Sequence, residues 1–284
     1  MVGSGVANFS GAESDEHLIK LWISTVARSE ATARAYRGNA AAFTQAMAKP
    51  LARVTLADLD QWATELTGAP RTRAQRVNSI KSLFTFAHRC GYLQFNVGAA
   101  LRAPSTPTDV MARILTEQET IRLLDAPTSP RDRALLRFLY SSGCRIAEAM
   151  ALNWQNIQPS PHGPVVSILG KGGKWRYVTV SQGTADELLA LRGDVADDAP
   201  VFTTSEGRMT TRTGARIVEQ AAEAAKIKKA VSPHWLRHCC ASHSLDRGAP
   251  LHTVQASLGH SSVTTTERYL HARPGDGAAR YLAV

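Results

Sequence analysis

The 284-residue sequence predicts a two-domain, mainly α-helical protein, in which a four-helix N-terminal domain precedes an α+β domain with one small antiparallel sheet. Three observations predict this class. Apolar residues recur at helical spacing through most of the first hundred residues. The stretch APSTPTDV, rich in Pro, Ser and Thr, then interrupts the pattern at 103–110. Two short strand-like runs appear between 165 and 180, in a segment that is otherwise helical.

The domain boundaries follow from these changes in pattern. We expect a flexible N-terminus at 1–13, a helical domain at 14–102, a linker at 103–114 and a second domain at 115–284. The first residues are small and polar and lack the layout of a secretory signal. Because no apolar run is long enough to span a bilayer, we expect a cytoplasmic protein without a membrane partner.

The N-terminal domain contains four amphipathic patterns, which begin near Asp15 and after Ser29, Thr55 and Pro70. Each has a polar, capping or proline residue at its start and apolar residues three or four positions apart. The residues predicted to face the core are Leu18, Leu21, Trp22, Tyr36, Phe43, Leu56, Leu59, Trp62, Val77, Ile80 and Leu83.

The charge distribution indicates a polyanionic partner. The chain has a net charge of +9, and the segment between Glu65 and Asp109 contains six basic residues and no acidic one. Charge alone does not separate DNA from RNA or a membrane surface. The candidate residues of this segment for binding a polyanion are Arg71, Arg73, Arg76 and Lys81. The alternative is an ordinary solvated helix face, which the absence of compensating acids disfavours.

The second domain opens with helices and then forms a hairpin. Thr116 and Glu119 make a capping-box pattern before a helix in which Ile121 and Leu124 are the apolar residues. A further helical pattern from 131 to 153 is broken at Gly143. The strands VVSIL and WRYVTV then flank GKGGK, whose glycines suit the turn of a hairpin.

A later helix begins at Ser232 and Pro233, which are an N-cap residue and a proline at the first helical position. His234 and Arg237, three residues apart, therefore share one face of its opening turns. A helix N-terminus attracts anions, and arginine offers a planar fork of donors matched to phosphate oxygens. This face is thus a candidate phosphate site.

Two shorter helices are predicted downstream. The first ends at Gly259, which can adopt the left-handed conformation, and His260 follows in the turn. Thr264 and Glu267 form a second capping-box pattern, which predicts that Tyr269 lies in the first two turns of a third helix. Each of these residues alone has an ordinary structural interpretation, but the combination is specific.

The combination H-x-x-R-H, then L-G-H-S-S, then a tyrosine nine residues after the second histidine resembles tyrosine site-specific recombinases, the phage integrase family, and is most similar to the bacterial Xer type. The family pattern G-x-R-x-x-E matches Gly143 to Glu148, and its G-K-G motif matches the turn around Lys171. The resemblance implies a SAM-like core-binding domain followed by a tyrosine-recombinase catalytic domain.

The resemblance also implies the roles of individual residues. Tyr269 would attack a DNA phosphodiester, leaving a 3′-phosphotyrosyl link and a free 5′-hydroxyl. His234 would accept the phenol proton, His260 would bind the phosphate, and Lys171 would protonate the departing 5′-oxygen. Lys174 would contact backbone phosphates, whereas His238 and His243 have no assigned role. The implied catalytic set is Arg145, Lys171, His234, Arg237, His260 and Tyr269.

No metal, nucleotide or other cofactor is expected. Cys90, Cys144, Cys239 and Cys240 lack zinc-site spacing, and the glycines around Lys171 do not form a Walker A motif. The expected partners are double-stranded DNA at a specific core site and other recombinase subunits, forming a homotetramer, or a heterotetramer with a related recombinase, on two duplexes.

Such chemistry would serve DNA integration and excision or the resolution of chromosome or plasmid dimers. Two alternatives remain from the sequence. One is a type IB topoisomerase-like enzyme, which relaxes DNA with the same tyrosine chemistry. The other is a non-catalytic DNA-binding protein on the same scaffold, which is disfavoured because all six catalytic positions carry the expected residue types.

Overall fold

The chain divides into two compact units, Met1–Thr108 and Asp109–Val284. The structure of the protein, a computed structural model, describes residues 8–105, 110–161, 163–170, 173–260, 262–267 and 269. Both units are mainly helical, and the strands form small antiparallel sheets in the second unit, as the sequence predicts. Among the helices of these described ranges, none has the length and apolar character needed to cross a membrane.

The first unit contains the four predicted helices. They are α1 (Asp15–Val26), α2 (Glu30–Met47), α3 (Leu56–Glu65) and α4 (Pro70–Arg89). The hydroxyls of Ser14, Ser29 and Thr55 each accept a hydrogen bond from a backbone amide in the first turn of the helix that follows. Helix α4 instead begins with Pro70, whose fixed φ suits the first helical position.

Aromatic packing holds this unit together. The ring of Phe43 meets Trp62 edge-on at 5.0 Å and Phe84 at 6.0 Å between ring centroids, and Trp22 stacks on Tyr36 at 4.4 Å. One predicted core residue is wrong. Leu56 is 47% exposed, because the inward face of α3 is formed by the residues at 59 and 62, and position 56, the first of the helix, lies outside that face.

The second unit contains eight helices and five strands within its described residues. The helices are α5 (Glu117–Asp125), α6 (Pro130–Ser142), α7 (Ile146–Met150), α8 (Gln182–Leu189), α9 (Thr211–Ala224), α10 (Pro233–Asp246), α11 (Leu251–Leu258) and α12 (Val263–Glu267). The strands are β1 (Ile157–Gln158), β2 (Val165–Leu169), β3 (Trp175–Thr179), β4 (Thr203–Thr204) and β5 (Gly207–Arg208).

The predicted hairpin is confirmed. Strands β1, β2 and β3 form an antiparallel sheet in that order, and the β2–β3 register pairs Val165 with Thr179 and Leu169 with Trp175. Alternate residues of the two strands, such as Ile168, are buried in the core of the second unit. Strands β4 and β5 form a separate two-stranded sheet.

Helix α5 has the predicted capping box but a different inward face. The Thr116 amide donates to the Glu119 carboxylate at 2.8 Å, and the Glu119 amide donates to the Thr116 hydroxyl at 3.1 Å. Ile121, predicted as an apolar face residue, is 57% exposed, whereas Thr120 and Leu123 are buried. Successive helical residues point about 100° apart, so Ile121 lies beside the buried stripe.

The C-terminal helices begin and end close to the predicted positions, with one correction. Helix α10 starts at Pro233 and α11 ends at Gly259, as expected. Helix α12 begins at Val263, so Thr264 lies inside the helix and does not cap it. Tyr269 lies beyond the end of α12, in a turn where its amide donates to the Thr266 carbonyl at 3.0 Å.

Helix α10 is anchored by a buried histidine. His243 has one ring nitrogen 3.0 Å from the hydroxyl of Tyr140 and the other 3.0 Å from the carbonyl oxygen of Leu115. Both nitrogens are therefore used by the scaffold. This agrees with the absence of an assigned role for His243 in the sequence and fixes the orientation of the helix that carries His234 and Arg237.

Candidate functional site

The turn between α6 and α7 positions the first candidate arginine. Gly143 ends α6 with φ +59°, and a Cβ atom at this position would lie 2.6 Å from Cδ2 of Leu258. Glycine is therefore required both by the backbone conformation and by the close approach of α11. Two residues later, Arg145 is the N-cap residue of α7.

Glu148 holds Arg145 through two hydrogen bonds. The carboxylate accepts from the Arg145 backbone amide at 2.8 Å and from its Nη1 at 3.0 Å. A second guanidinium, that of Arg176 on β3, donates to the same carboxylate at 2.7 Å. Burial alone would raise the pKa of Glu148, but the hydrogen bonds from Arg176 and Arg145 outweigh it and leave the pKa below its ordinary value.

Arg237 is buried at the ends of two helices. Its Nη1 donates to the carbonyl of Gly143 at 2.6 Å and its Nη2 donates to the carbonyl of Leu258 at 2.7 Å. A cation is favoured at these helix C-termini, where carbonyls carry partial negative charge. Burial, followed by the charge of Arg145, lowers the pKa of Arg237 to about 10, so the guanidinium still carries its charge at neutral pH.

His260 is a neutral imidazole beside these cations. Its Nδ1 lies 2.9 Å from the hydroxyl of the buried Thr266. Burial, and then the charges of Arg237 and Arg145, lower the pKa of His260 to about 4. The ring can therefore donate or accept one hydrogen bond without bringing another positive charge to the site.

Tyr269 is almost completely buried, with 4% exposure. Its hydroxyl lies 2.7 Å from Nδ1 of His238, one helical turn after His234 on α10. The two histidine rings are 6.2 Å apart between centroids. Burial, and then the neighbouring charges of His234 and Arg113, lower the pKa of His238 to about 4, so that Nδ1 can accept the phenol hydrogen bond at neutral pH.

The structure thus brings five of the sequence-predicted catalytic residues together in the second unit. The pKa of Arg237 reflects this proximity, because the charge of Arg145 lowers it and the charge of Tyr269 raises it. Lys171 lies outside the described residues. Lys174 is exposed just before β3, and its carbonyl accepts from the Gly170 amide at 2.9 Å.

Sequence reasoning missed two residues of this site. His238 was left without a role, although its ring contacts the Tyr269 hydroxyl, and Arg176 was not considered. A sequence signal exists for His238, since it is one turn from His234 on the same helix face. Nothing local marks Arg176, because its partners lie 28 and 81 residues away in the chain.

Four of the candidate DNA-binding residues lie on α4 of the first unit, and the fifth, Lys174, precedes β3 of the second unit. Arg71 is exposed, whereas the side chains of Arg73, Arg76 and Lys81 are partly covered. The Lys81 ammonium donates to the carbonyl of Leu101, so part of its hydrogen-bonding capacity is used within the unit. The opposite face of α4 is buried, which leaves the basic residues on the outer side and at its edges.

Comparison with known proteins identifies the family to which both units are similar. The pattern described as "Phage integrase family" matches residues 106–275, and the pattern described as "Phage integrase, N-terminal SAM-like domain" matches residues 15–91. The two matches together cover both units. The first unit is therefore a SAM-like domain and the second is a phage-integrase catalytic domain.

Two curated tyrosine recombinases are similar to this chain over most of its length. Tyrosine recombinase XerD of Bifidobacterium longum is 33% identical over 253 residues, covering 81% of this chain and 81% of that protein. Tyrosine recombinase XerC of Xanthomonas campestris is 35% identical over 210 residues, covering 72% of this chain but only 64% of that protein.

Among solved structures, XerH site-specific recombinase bound to difH substrate has a TM-score of 0.70 at 20% identity, covering 94% of this chain and 83% of XerH. At this identity the likeness concerns the fold. The family patterns, and the XerD relative at 33% identity over 81% of the chain, show the family as well as the fold. The chain belongs to the phage integrase family of tyrosine recombinases.

Proposed function

We propose that this protein is a site-specific DNA recombinase that cleaves and rejoins DNA through a 3′-phosphotyrosyl intermediate on Tyr269. The observation that carries the proposal is the buried tyrosine hydroxyl, 2.7 Å from a neutral histidine, in the same cluster as Arg145, Arg237 and His260. A phenol that can be deprotonated, next to fixed cations and a neutral donor, is what attack on a phosphodiester requires.

The cationic residues serve the phosphate. As the phenol oxygen forms its bond to phosphorus, negative charge grows on the non-bridging oxygens. The guanidiniums of Arg145 and Arg237 offset that charge, and both are held by protein groups before DNA arrives. His260, neutral and fixed by Thr266, supplies one further hydrogen bond to a non-bridging oxygen. The bond from phosphorus to the 5′-oxygen breaks in the same step.

Two proton transfers complete the step. A phenol with a pKa near 10 must lose its proton to a neighbouring base, and we assign this transfer to His234 in the DNA-bound enzyme. His238 holds the hydroxyl before DNA binds. The departing 5′-oxygen needs a proton, which we assign to Lys171 in the turn between β2 and β3. The phosphotyrosyl bond retains the energy of the broken phosphodiester, so a 5′-hydroxyl can reverse the reaction without ATP.

The substrate of this chemistry is double-stranded DNA at a core site recognised by both domains. Strand exchange requires two duplexes and four tyrosines, which suits a homotetramer or a heterotetramer with a related recombinase. A DNA-relaxing enzyme with the same chemistry would act as a monomer on any supercoiled plasmid. Sedimentation with and without cognate DNA therefore distinguishes them: a recombinase should form a four-subunit complex on two duplexes.

The nucleophile is tested by trapping the covalent intermediate. Nicked duplexes carrying the flanking sequences of the gene let the short 5′-hydroxyl fragment diffuse away, so protein–DNA adducts accumulate on a denaturing gel. We expect the adduct with the wild type and none with Tyr269→Phe. Tyr177→Phe is the matched control, because it removes a tyrosine hydroxyl from an exposed position of β3 in the same unit. An adduct that persists in Tyr269→Phe would refute the assignment.

A further inference from the structure

A largely buried arginine on β3 reaches two elements that carry proposed catalytic residues. The side chain of Arg176 is 11% exposed. Its Nη2 donates to the Glu148 carboxylate at 2.7 Å, and its Nε donates to the carbonyl of Ser257 at 2.9 Å. Glu148 also holds Arg145, and Ser257 lies in the last turn of α11, just before His260. One guanidinium thus ties the hairpin to α7 and to α11.

Arginine suits this position because of its geometry. Its planar group presents donors in two directions at once, here toward a carboxylate and toward a helix-end carbonyl. Lysine carries the same charge as a single point on a flexible stem and cannot reproduce both bonds with the same orientation. The carboxylate of Glu148 is 8% exposed, so loss of the Arg176 partner would leave a buried charge with Arg145 as its remaining arginine partner.

Close packing fixes the arginine against Gly170 and Gly259. A Cβ atom at Gly259 would lie 3.0 Å from Cδ of Arg176, and a Cβ atom at Gly170 would lie 3.4 Å from its Nη1. The stem therefore passes against the end of α11, and the guanidinium lies against the residue that immediately precedes Lys171 in the chain. Movement of Arg176 would be transmitted directly to Gly170.

We infer that Arg176 is a positioning residue, which ties Gly170, the residue before Lys171 in the sequence, to the elements that carry Arg145 and His260. The inference rests on the proposed function, since it assumes that Lys171 protonates the 5′-oxygen. Arg176 itself does not touch the reacting phosphate. Its contribution acts through Glu148 and the Ser257 carbonyl, which couple the hairpin to the elements that bind the phosphate.

The role of Lys171 can be bypassed chemically. When the 5′-oxygen of the scissile phosphate is replaced by sulfur, the tyrosine–phosphorus bond forms and a phosphorus–sulfur bond breaks. The leaving thiolate is stable near neutral pH, because thiols have a pKa of about 8.5, and it departs without protonation. The ratio of the cleavage rates of the sulfur and oxygen substrates therefore reports whether the proton donor is in place. It does not depend on the fraction of active enzyme.

The experiment compares this rate ratio in single-turnover cleavage by full-length variants. Lys171→Ala should raise the ratio by about 100-fold or more, the usual contribution of a general acid. Arg176→Ala should raise it at least tenfold, and Arg176→Lys, which retains the charge, should give an intermediate ratio. Arg131→Ala is the matched control, because Arg131 likewise joins a carboxylate and the Thr203 carbonyl in the same unit, outside this cluster. Its ratio should equal that of the wild type.

The possible failures are distinct. An Arg176→Ala enzyme that is slow on both substrates with a wild-type ratio would overturn the inference and leave Arg176 a purely structural residue. If Arg176→Ala does not fold, Arg176→Lys decides the question by the same ratio. A wild-type ratio in Lys171→Ala would refute the acid role of Lys171 and the inference with it. Absence of tyrosine adducts in every variant would instead refute the proposed function.

Discussion

The hydroxyl of Tyr269 lies 2.7 Å from Nδ1 of His238, and the tyrosine ring is almost completely buried. Because burial and the charges of His234 and Arg113 lower the pKa of His238 to about 4, the imidazole is neutral at pH 7, and in the tautomer protonated at Nε2 its Nδ1 accepts the hydrogen bond of the phenol. Tyr269 is thus held by a hydrogen bond to His238, which must break before the hydroxyl can attack the scissile phosphate. This makes His238 the residue that defines the resting position of Tyr269.

This relationship predicts energetic coupling between the two side chains. Removing either partner breaks this hydrogen bond in a mostly buried position, which costs about 1 kcal/mol. We expect His238→Ala and Tyr269→Phe each to lower the free energy of unfolding by about 1 kcal/mol or more. The double variant should be less destabilised than the sum of the singles by at least about 0.5 kcal/mol.

Urea denaturation of the four proteins of this cycle measures the coupling. The Tyr140→Phe and Tyr269→Phe pair provides a control, because the Tyr140 hydroxyl is bonded to a different histidine, His243. The effects of this second pair should add. Additivity within the His238–Tyr269 pair would contradict the hydrogen bond as a stabilising contact.

The two depressed histidine pKa values predict acid lability of the second unit. In the unfolded chain an imidazole is protonated below about pH 6.5, whereas His238 and His260 take up protons in the folded protein only near pH 4. Between these values the unfolded state binds more protons, so stability is lost as the pH falls. Each histidine contributes a slope below about 1 kcal/mol per pH unit, because both rings are only partly buried.

The range from pH 5 to 6.5 isolates this effect, since Asp and Glu side chains remain ionised there in both states. Urea denaturation across this range should give a shallower loss of stability for His260→Asn, whose amide can still bond to Thr266 but does not titrate. His252→Gln, which replaces an exposed histidine of α11, is the matched control. An unchanged slope in His260→Asn would contradict the neutral state of His260.

Arg237 offers a third prediction. Its two carbonyl bonds orient the guanidinium at the ends of α6 and α11, and a lysine can satisfy only part of this arrangement. We expect Arg237→Lys to slow single-turnover cleavage about 100-fold or more, the usual effect of losing one transition-state donor. Arg247→Lys, at the other end of α10, should stay within about twofold of the wild type, because its exposed ion pair with Glu117 contributes little.

DNA binding should be largely retained in Arg237→Lys, because most of the affinity comes from contacts to other phosphates. Gel-shift titration alongside the cleavage assay separates the two effects. Equal losses of binding and cleavage would mean that Arg237 supports the fold of the site and does not act on the transition state.

Local sequence signals predicted much of the fold because they operate within one or two turns. The hydroxyl caps at Ser29 and Thr55, and Gly143 between α6 and α7, lie where the sequence predicts them. Periodicity was less reliable at helix ends. Leu56 is on the exposed side of α3 because neighbouring elements, and not the spacing alone, decide which face is covered.

The candidate site was predictable only in part. Arg237 could be inferred from its motif, but its partners Gly143 and Leu258 belong to two other helices, which no local pattern connects. The link of Arg176 to Glu148 and Ser257 likewise depends on the packing of the hairpin against α7 and α11. Such contacts follow from tertiary structure, which the spacing of residues in one element does not determine.

The basic face of α4 gives the last prediction, which concerns DNA affinity. Each lysine or arginine that neutralises a phosphate releases counterions, so the logarithm of the binding constant falls linearly with the logarithm of salt concentration. Arg71 is exposed at the start of α4, so Arg71→Ala should reduce the magnitude of this slope by about 1. The effect on non-specific DNA should be similar, because a phosphate contact carries no sequence information.

Two lysine variants test whether the change in slope is specific to Arg71. The Lys81 ammonium is bonded to the Leu101 carbonyl, so Lys81→Met should change the slope less than Arg71→Ala does. Lys20 lies on α1, where its ammonium pairs with Glu16 at 2.8 Å, so that Lys20→Ala should leave the slope unchanged. Fluorescence anisotropy of a labelled duplex, at salt concentrations from about 50 to about 300 mM, measures the slopes of all three variants. Equal slopes for Arg71→Ala and the wild type would exclude the start of α4 from the DNA-binding surface, because the exposed guanidinium is the group on this face best able to neutralise a phosphate.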